Sequence, residues 1–196
     1  MKILLASSNT HKKREILALL DGLGIEILTL KDLGYTQEIP EDGDTFLENS
    51  AIKAHWAYRA TGLPTLADDS GISIRAMGYE PGIRSARFLS PEAGSGEKNR
   101  EILRRLEGEQ ERQAHYTCAL TFLDKDRSFI TEQYCHGLIS QGESGVEGFG
   151  YDPIFLLPEL GKTMAELDPE EKNRLSHRGK ALAAFREYLE TTYGIV

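Results

Sequence analysis

The chain has 196 residues, 40% hydrophobic and 28% charged, the balance of an ordinary folded protein with a sizeable core. Its formal net charge of −8 excludes a general nucleic-acid or membrane-surface binder, which needs a basic excess. A small polyanion stays within reach where a local basic cluster or a divalent cation reverses the field. Two cysteines, Cys118 and Cys135, make no disulfide framework and read as small buried side chains. The apolar run Ile3 to Ala6 is far below the ~7–15 residues of an export signal. No stretch approaches the ~18 apolar residues of a membrane span, so the expectation is a cytoplasmic protein.

KILLA is a short buried-strand pattern. SSNTHKKREILALLDGLG continues as a helix with Ile16, Leu19, Leu20 and Leu23 at helical spacing, capped by Asn9 or Thr10 and ended by Gly22 or Gly24. IEILTL is a second strand, so the chain opens like a parallel α/β unit. After the polar loop YTQEIPEDGD, Asp44 or Thr45 caps a helix through FLENSAIKAHWAYRATG that Gly62 ends. PTLADDSGISIRAMG and a turn-rich segment, YEPGIRSARFLSPEAGSG, lead to the helix EKNREILRRLEG. RQAHYTCALTFLD and SFITEQYCHGLIS, joined by KDR, read as an antiparallel hairpin. A glycine-rich loop, QGESGVEGFGYDP, follows. The last helix runs from about Ser176 to Tyr193, with Ala181, Leu182, Phe185, Tyr188 and Leu189 as its apolar face. A βαβ start followed by a hairpin predicts an α/β fold with a mixed β-sheet and flanking helices. No repeat, low-complexity tract or clean boundary appears, so one domain over 1–196 is expected.

Five segments carry chemistry. SSNTHKK joins a strand to a helix, where Ser7, Ser8, Asn9 and Thr10 offer short donors and Lys12 and Lys13 offer charge. It reads as a phosphate cradle at a helix N-terminus or as an ordinary capped helix start; GxxxxGK[ST] is absent. Asp68-Asp69 is a like-charge pair at an expected strand end, compensated by a hard divalent cation or else relaxed in a solvent-facing turn. The acidic loop with Glu38, Glu41, Asp42 and Asp44 is a solvated face or the source of a further metal carboxylate. In EGFGYDPIF, glycines flank Phe149, which is a stacking plate for a base with a carboxylate nearby, or simply core. In EEKNRLSHRGKA, Ser176 is a good N-cap, and His177 and Arg178 fall in the first turn, where cations oppose the dipole. A bound anion explains them, as does a solvated basic face.

Taken in order, LLASSNTHK, FLENSAIKA, ADDSGISI, PGIRSARF, FGYDPIF and EEKNRLSHRGKA closely resemble the inosine triphosphate pyrophosphatase family, the house-cleaning (d)ITP/XTP pyrophosphatases, over nearly the whole chain. The resemblance implies a two-lobed fold around a nucleotide-binding cleft, shared with Maf-like proteins. It implies Asp69 as catalytic carboxylate and Mg²⁺ ligand with Asp68 beside it, and Glu38 or Glu41 as the second metal carboxylate. Ser7, Ser8, Asn9, Thr10, His11 and Lys12 would hold the triphosphate, with Lys53 and Ser70 near it, and Arg87 would reach the phosphates or line the cleft. Phe149 would stack on the purine within the segment Phe149, Gly150, Tyr151 and Asp152. Lys172, Ser176, His177 and Arg178 would read the base edge and the sugar-phosphate. Many members carry Thr-Gly-Asn in the first loop, and here it is Ser7-Ser8-Asn9.

The implied activity is Mg²⁺-dependent hydrolysis of ITP, dITP and XTP to the monophosphate and pyrophosphate by a homodimer, with no nucleic-acid or membrane partner. Two rivals stand beside it: a Maf-like pyrophosphatase acting on pyrimidine or modified nucleotides, and a non-catalytic nucleotide sensor.

Overall fold

A computed structural model describes residues 1–7, 9–37 and 39–195. In chain order the elements are β1 (Lys2–Leu5), α1 (Thr10–Leu19), β2 (Glu26–Thr29), α2 (Phe46–Thr61), β3 (Thr65–Ile74), α3 (Ser95–Arg105), β4 (Gln113–Leu123), β5 (Ser128–Ile139), β6 (Phe155–Leu157), β7 (Lys162–Thr163), α4 (Pro169–Leu175) and α5 (His177–Tyr193). The strands form one sheet in the order β2-β1-β3-β4-β5-β6-β7. β1 lies parallel to β2 and β3, whereas β6 is antiparallel to β5 and β7. The mixed sheet with flanking helices expected from the sequence is borne out.

Local sequence explains the helices that matter most. Asn9 caps α1, its side chain accepting from the N–H groups of His11 and Lys12. Thr45 and Glu48 form a reciprocal capping box on α2, which Gly62 closes at φ +70°. The sequence reading did not include α4, although Asp168 as cap, Pro169 at the first helical position and Glu170-Glu171 in the first turn are its signature. β6 and β7, at three and two residues, are too short to show a period.

The chain folds as two units. The first comprises Met1–Asp69, Cys118–Gln133 and the chain from Arg178 onward. Its sheet is covered on both faces, and the alternation of strand residues decides which helix meets which face. Ile3, Leu5 and Leu66 pack with Ile16 of α1, with Leu20 just past its end and with Ala181, Leu182, Phe185 and Leu189 of α5. The intervening Leu4, Ala6 and Ala67 pack with Ala54 and Ala57 of α2. The second unit comprises Ser70–Thr117 and Tyr134–His177, with a core that includes Ile72, Ile74, Ile102, Tyr116, Phe155 and Met164. β3, β4 and β5 each contribute residues to both units. Both cysteines are buried thiols outside any disulfide among the described residues, and burial pushes the Cys118 thiol up to about 12, so it stays protonated.

Phe185 is fully buried, with its ring 5.1 Å from that of Phe122. Phe185→Ala should lower unfolding stability by about 3–5 kcal/mol in urea denaturation, through lost transfer energy and the cavity left behind.

Candidate active site

Asp68 and Asp69 are 1% and 8% exposed and lie in the middle of β3, neither at a strand end nor in a turn. That position differs from the sequence expectation because the strand continues through them to Ile74. Two adjacent carboxylates buried in a sheet are tolerable only where opposite charge meets each of them. Successive strand residues face opposite sides, so Asp68 shares the α1/α5 face with Leu66, and Asp69 shares the α2 face with Ala67. The cations follow that division. Asp68 pairs with Lys12 of α1 at 2.9 Å and with Arg178 of α5 at 3.5 Å. Asp69 pairs with Lys53 of α2 at 3.2 Å. Arg178 is also ion-paired to Glu15 on α1, and Lys53 to Glu41 at 2.8 Å.

The two carboxylates differ in acidity. Burial acts on both to raise the pKa. At Asp68 it is overcome by the charges of Lys12, Arg178 and Lys53, and the carboxyl sits well below the usual range. At Asp69 burial prevails: Lys53 and Lys12 pull down, Glu41 and Asp68 push up, and the pKa is raised. Lys53 stays an ammonium, because Asp69, Asp68 and Glu41 outweigh its own desolvation.

The loop before α2 delivers Glu41. Gly43 N–H donates to Asn49 Oδ1 at 2.9 Å, and a Cβ on Gly43 would stand 2.7 Å from Glu48 Cβ, so only glycine lets the loop lie this close to α2. Asp42 and Asp44 are exposed. The residues present suit a hard divalent cation. Asp69 and Glu41 converge on one Lys53 ammonium, and Asp69 Oδ2 is buried with no hydrogen-bond donor among the described residues. Those residues assemble no group of three His, Cys, Asp or Glu side chains, and Mg²⁺ asks for only one or two carboxylates when substrate phosphates supply the rest.

At the start of α1, the N–H groups of His11 and Lys12 go to Asn9 Oδ1 and that of Lys13 goes to Asn9 O. The anion-binding capacity of this turn therefore rests on hydroxyls, on Lys12 and on the helix dipole more than on open backbone donors. Ser7 is half-buried and its Oγ accepts from Asn9 N–H, whereas Thr10 and His11 are exposed.

The second unit holds a separate cluster. Lys172 Nζ lies 4.8 Å from the centroid of the half-buried Phe149 ring and donates to Asp152 Oδ2 at 2.7 Å. Phe149 N–H donates to the same oxygen at 2.8 Å, and the Tyr116 hydroxyl donates to Asp152 Oδ1 at 3.2 Å. Gly148 has φ +77°, and a Cβ there would fall 2.2 Å from Asp152 Oδ2, so this loop closes only with glycine. Gly150 O accepts from Asn99 Nδ2 at 3.2 Å, and the Tyr151 hydroxyl donates to Ser85 O at 2.6 Å. His177 is buried, with its ring stacked on Tyr116 at 4.6 Å and 10°. Ser176 is buried beside it, Ser70 is half-buried after Asp69, and Arg87 is exposed at the end of the 3₁₀ segment Gly82–Arg87. An aromatic plate with a cation over one face, itself tied to a fixed carboxylate, is equipped to hold a planar ring.

The structure thus brings Lys12, Lys53, Asp68, Asp69, Glu41 and Arg178 together in the first unit. It brings Phe149, Asp152, Lys172 and His177 together, through Tyr116, in the second. Ser8 and Glu38 lie outside the described residues. The sequence reading passed over Glu15, Tyr116 and Asn99. Glu15 follows Lys12 by one helical turn, a spacing that could have drawn attention to it; Tyr116 had no local signal.

Comparison with known proteins runs along the same lines. A model of the Ham1 family matches residues 3–188, and the chain belongs to that family. The dITP/XTP pyrophosphatase of Nitrosomonas europaea is 47% identical over 191 residues, which cover 96% of this chain and 94% of that protein. The dITP/XTP pyrophosphatase of Geobacillus kaustophilus is 41% identical over 98% of this chain and 96% of its own length. Among solved structures, a HAM1 protein from Coxiella burnetii superposes with a TM-score of 0.90 at 38% identity, covering 98% of this chain and 100% of that one. The resemblance read from the order of the motifs is borne out.

Arg178→Met would strip one cation from the fully buried Asp68. We expect a loss of about 3–5 kcal/mol in chemical denaturation. An unchanged midpoint would show that the ion pair carries no structural weight.

Proposed function

We propose that this protein is a hydrolase that cleaves non-canonical purine nucleoside triphosphates, ITP, dITP and XTP, to the monophosphate and pyrophosphate, and so cleanses the nucleotide pool. The observation that carries the reading is the division of the buried Asp68-Asp69 pair, Asp68 held by Lys12 and Arg178 and Asp69 sharing Lys53 with Glu41 and keeping Oδ2 without a donor among the described residues, within a chain whose relatives are named dITP/XTP pyrophosphatases. Environments that push two neighbouring carboxylates apart mark acid–base roles.

In this reading Asp69 takes the proton of the water that attacks the α-phosphorus. Asp68 stays charged and holds Lys12 and Arg178 in place. Lys12, the hydroxyls of Ser7 and Thr10 and the dipole of α1 meet the phosphates. Asp69 and Glu41, with Glu38 as the resemblance implies, would hold Mg²⁺, which when bound polarises phosphate oxygens as a Lewis acid. Lys53 keeps Asp69 and Glu41 converged. No covalent intermediate is required, and pyrophosphate leaves intact.

In the second unit Phe149 stacks on the purine and Lys172 donates to a 6-oxo group. An adenine 6-amino group would leave that donor unpaired at a cost of ~1–3 kcal/mol, or about 10- to 100-fold in selectivity. The reading extends to a single nucleotide pyrophosphatase domain acting as a cytoplasmic homodimer, as the family resemblance implies. No helix among the described residues is long and apolar enough to cross a membrane.

Turnover of ITP, XTP, GTP, ATP and UTP with and without Mg²⁺, followed for both pyrophosphate and orthophosphate, tests this directly. We expect Mg²⁺-dependent pyrophosphate release led by ITP and XTP. Orthophosphate as first product contradicts the mechanism, a lead for UTP favours the Maf-like rival, and binding without turnover favours a sensor. Asp69→Asn should cut kcat by about a thousandfold or more while the variant still folds and melts cooperatively. The pH profile should carry an acid limb, because a protonated Asp69 accepts no proton. Lys53 lowers the pKa of Asp69, so Lys53→Met should move that limb to higher pH.

A further inference from the structure

Tyr116 is 6% exposed in β4 and touches two side chains of the second unit's cluster in two different ways. Its hydroxyl donates to Asp152 Oδ1 at 3.2 Å, and its ring lies flat against the His177 imidazole at 4.6 Å and 10°. The ring also meets that of Phe155, fully buried, at 4.5 Å. Asp152 receives Lys172 and the Phe149 N–H on its other oxygen, so the phenol fixes the rotation of a carboxylate that already holds the plate and its cation. A carboxylate gripped on one oxygen only can swing about its χ2; donors on both oxygens hold its plane. A phenol meets both demands, because it carries a flat face and one directional donor, and Phe would supply only the face.

We propose that Tyr116 is a positioning residue for base selection. It sets Asp152 with its hydroxyl and His177 with its ring, and through Asp152 sets Lys172 over the Phe149 plate. This rests on the reading of that cluster as the site that holds the purine. Asp152 then acts chiefly as an anchor for Lys172 and for the Phe149 loop, and the discrimination of a 6-oxo from a 6-amino purine depends on how firmly that anchor is held. Loss of the hydroxyl frees Lys172 to sample positions away from the 6-oxo group, while the phosphate chemistry of the first unit is untouched.

The test is steady-state kinetics on Tyr116→Phe, Asp152→Asn and the double variant with ITP and ATP, alongside thermal melting. Tyr116→Phe should raise KM for ITP by about tenfold with kcat within about twofold, and narrow the ITP-to-ATP ratio of kcat/KM. In the Asp152→Asn background it should add little, because the group it positions has lost its charge. Equal and additive effects of Tyr116→Phe in both backgrounds, or a drop in kcat alone for every substrate, would overturn the proposal. If Asp152→Asn and Phe149→Ala both leave the ITP-to-ATP ratio unchanged, the purine-site reading itself fails. If they collapse the ratio and Tyr116→Phe at an unaltered melting temperature does not, the base site stands and Tyr116 has no part in selection.

Discussion

The structure depends on one constraint: two adjacent carboxylates buried in the middle of β3. An uncompensated buried carboxylate costs several kcal/mol, enough to consume much of the net stability of a domain. The pleat turns one problem into two separate ones, by sending Asp68 to the α1/α5 face and Asp69 to the α2 face. Each face must then bring a cation on a helix that also covers the core. Lys12 and Arg178 do so on one side and Lys53 does so on the other. The placement of three helices in the first unit is therefore tied to charge as well as to apolar packing.

The same division separates the acidities. Asp68 has two close cations and stays ionised; Asp69 shares one lysine with Glu41 and keeps an oxygen without a donor among the described residues. A carboxylate of raised pKa next to a held charge is useful for proton transfer, and it is produced here chiefly by burial, with the charges of Glu41 and Asp68 adding to it. In the second unit Asp152 plays a comparable part on a smaller scale. Three donors reach it, and they order an aromatic loop that closes only because residue 148 is glycine.

Much of this was legible in the sequence, for reasons that differ by element. The start of α1 and both ends of α2 follow from Asn9, Thr45, Glu48 and Gly62, whose effects are local, whereas α1 stops at Leu19, short of the expected Gly22 or Gly24. The carboxylate pair and the glycines around Phe149 drew attention because local physics made them costly or permissive. What the sequence concealed is tertiary. That Asp68 and Asp69 lie mid-strand and face opposite ways depends on cations distant in the chain: Lys12 stands 56 residues before Asp68 and Arg178 110 after it. Tyr116 looks like any core residue of a buried strand until Asp152 and His177 fold against it. The acidic loop offered several carboxylates of equal merit, and among the described ones only the fold separates Glu41, paired with Lys53, from the exposed Asp42 and Asp44.

The sheet splits one acidic pair into a fixed charge and a group of higher pKa. Carboxyl-carbon NMR of the metal-free protein, titrated with pH and assigned through Asp68→Asn and Asp69→Asn, measures it most directly. The account predicts two well-separated steps, the lower lost with Asp68 and the higher lost with Asp69. Overlapping steps in the ordinary carboxylate range, or the reverse assignment, would contradict it.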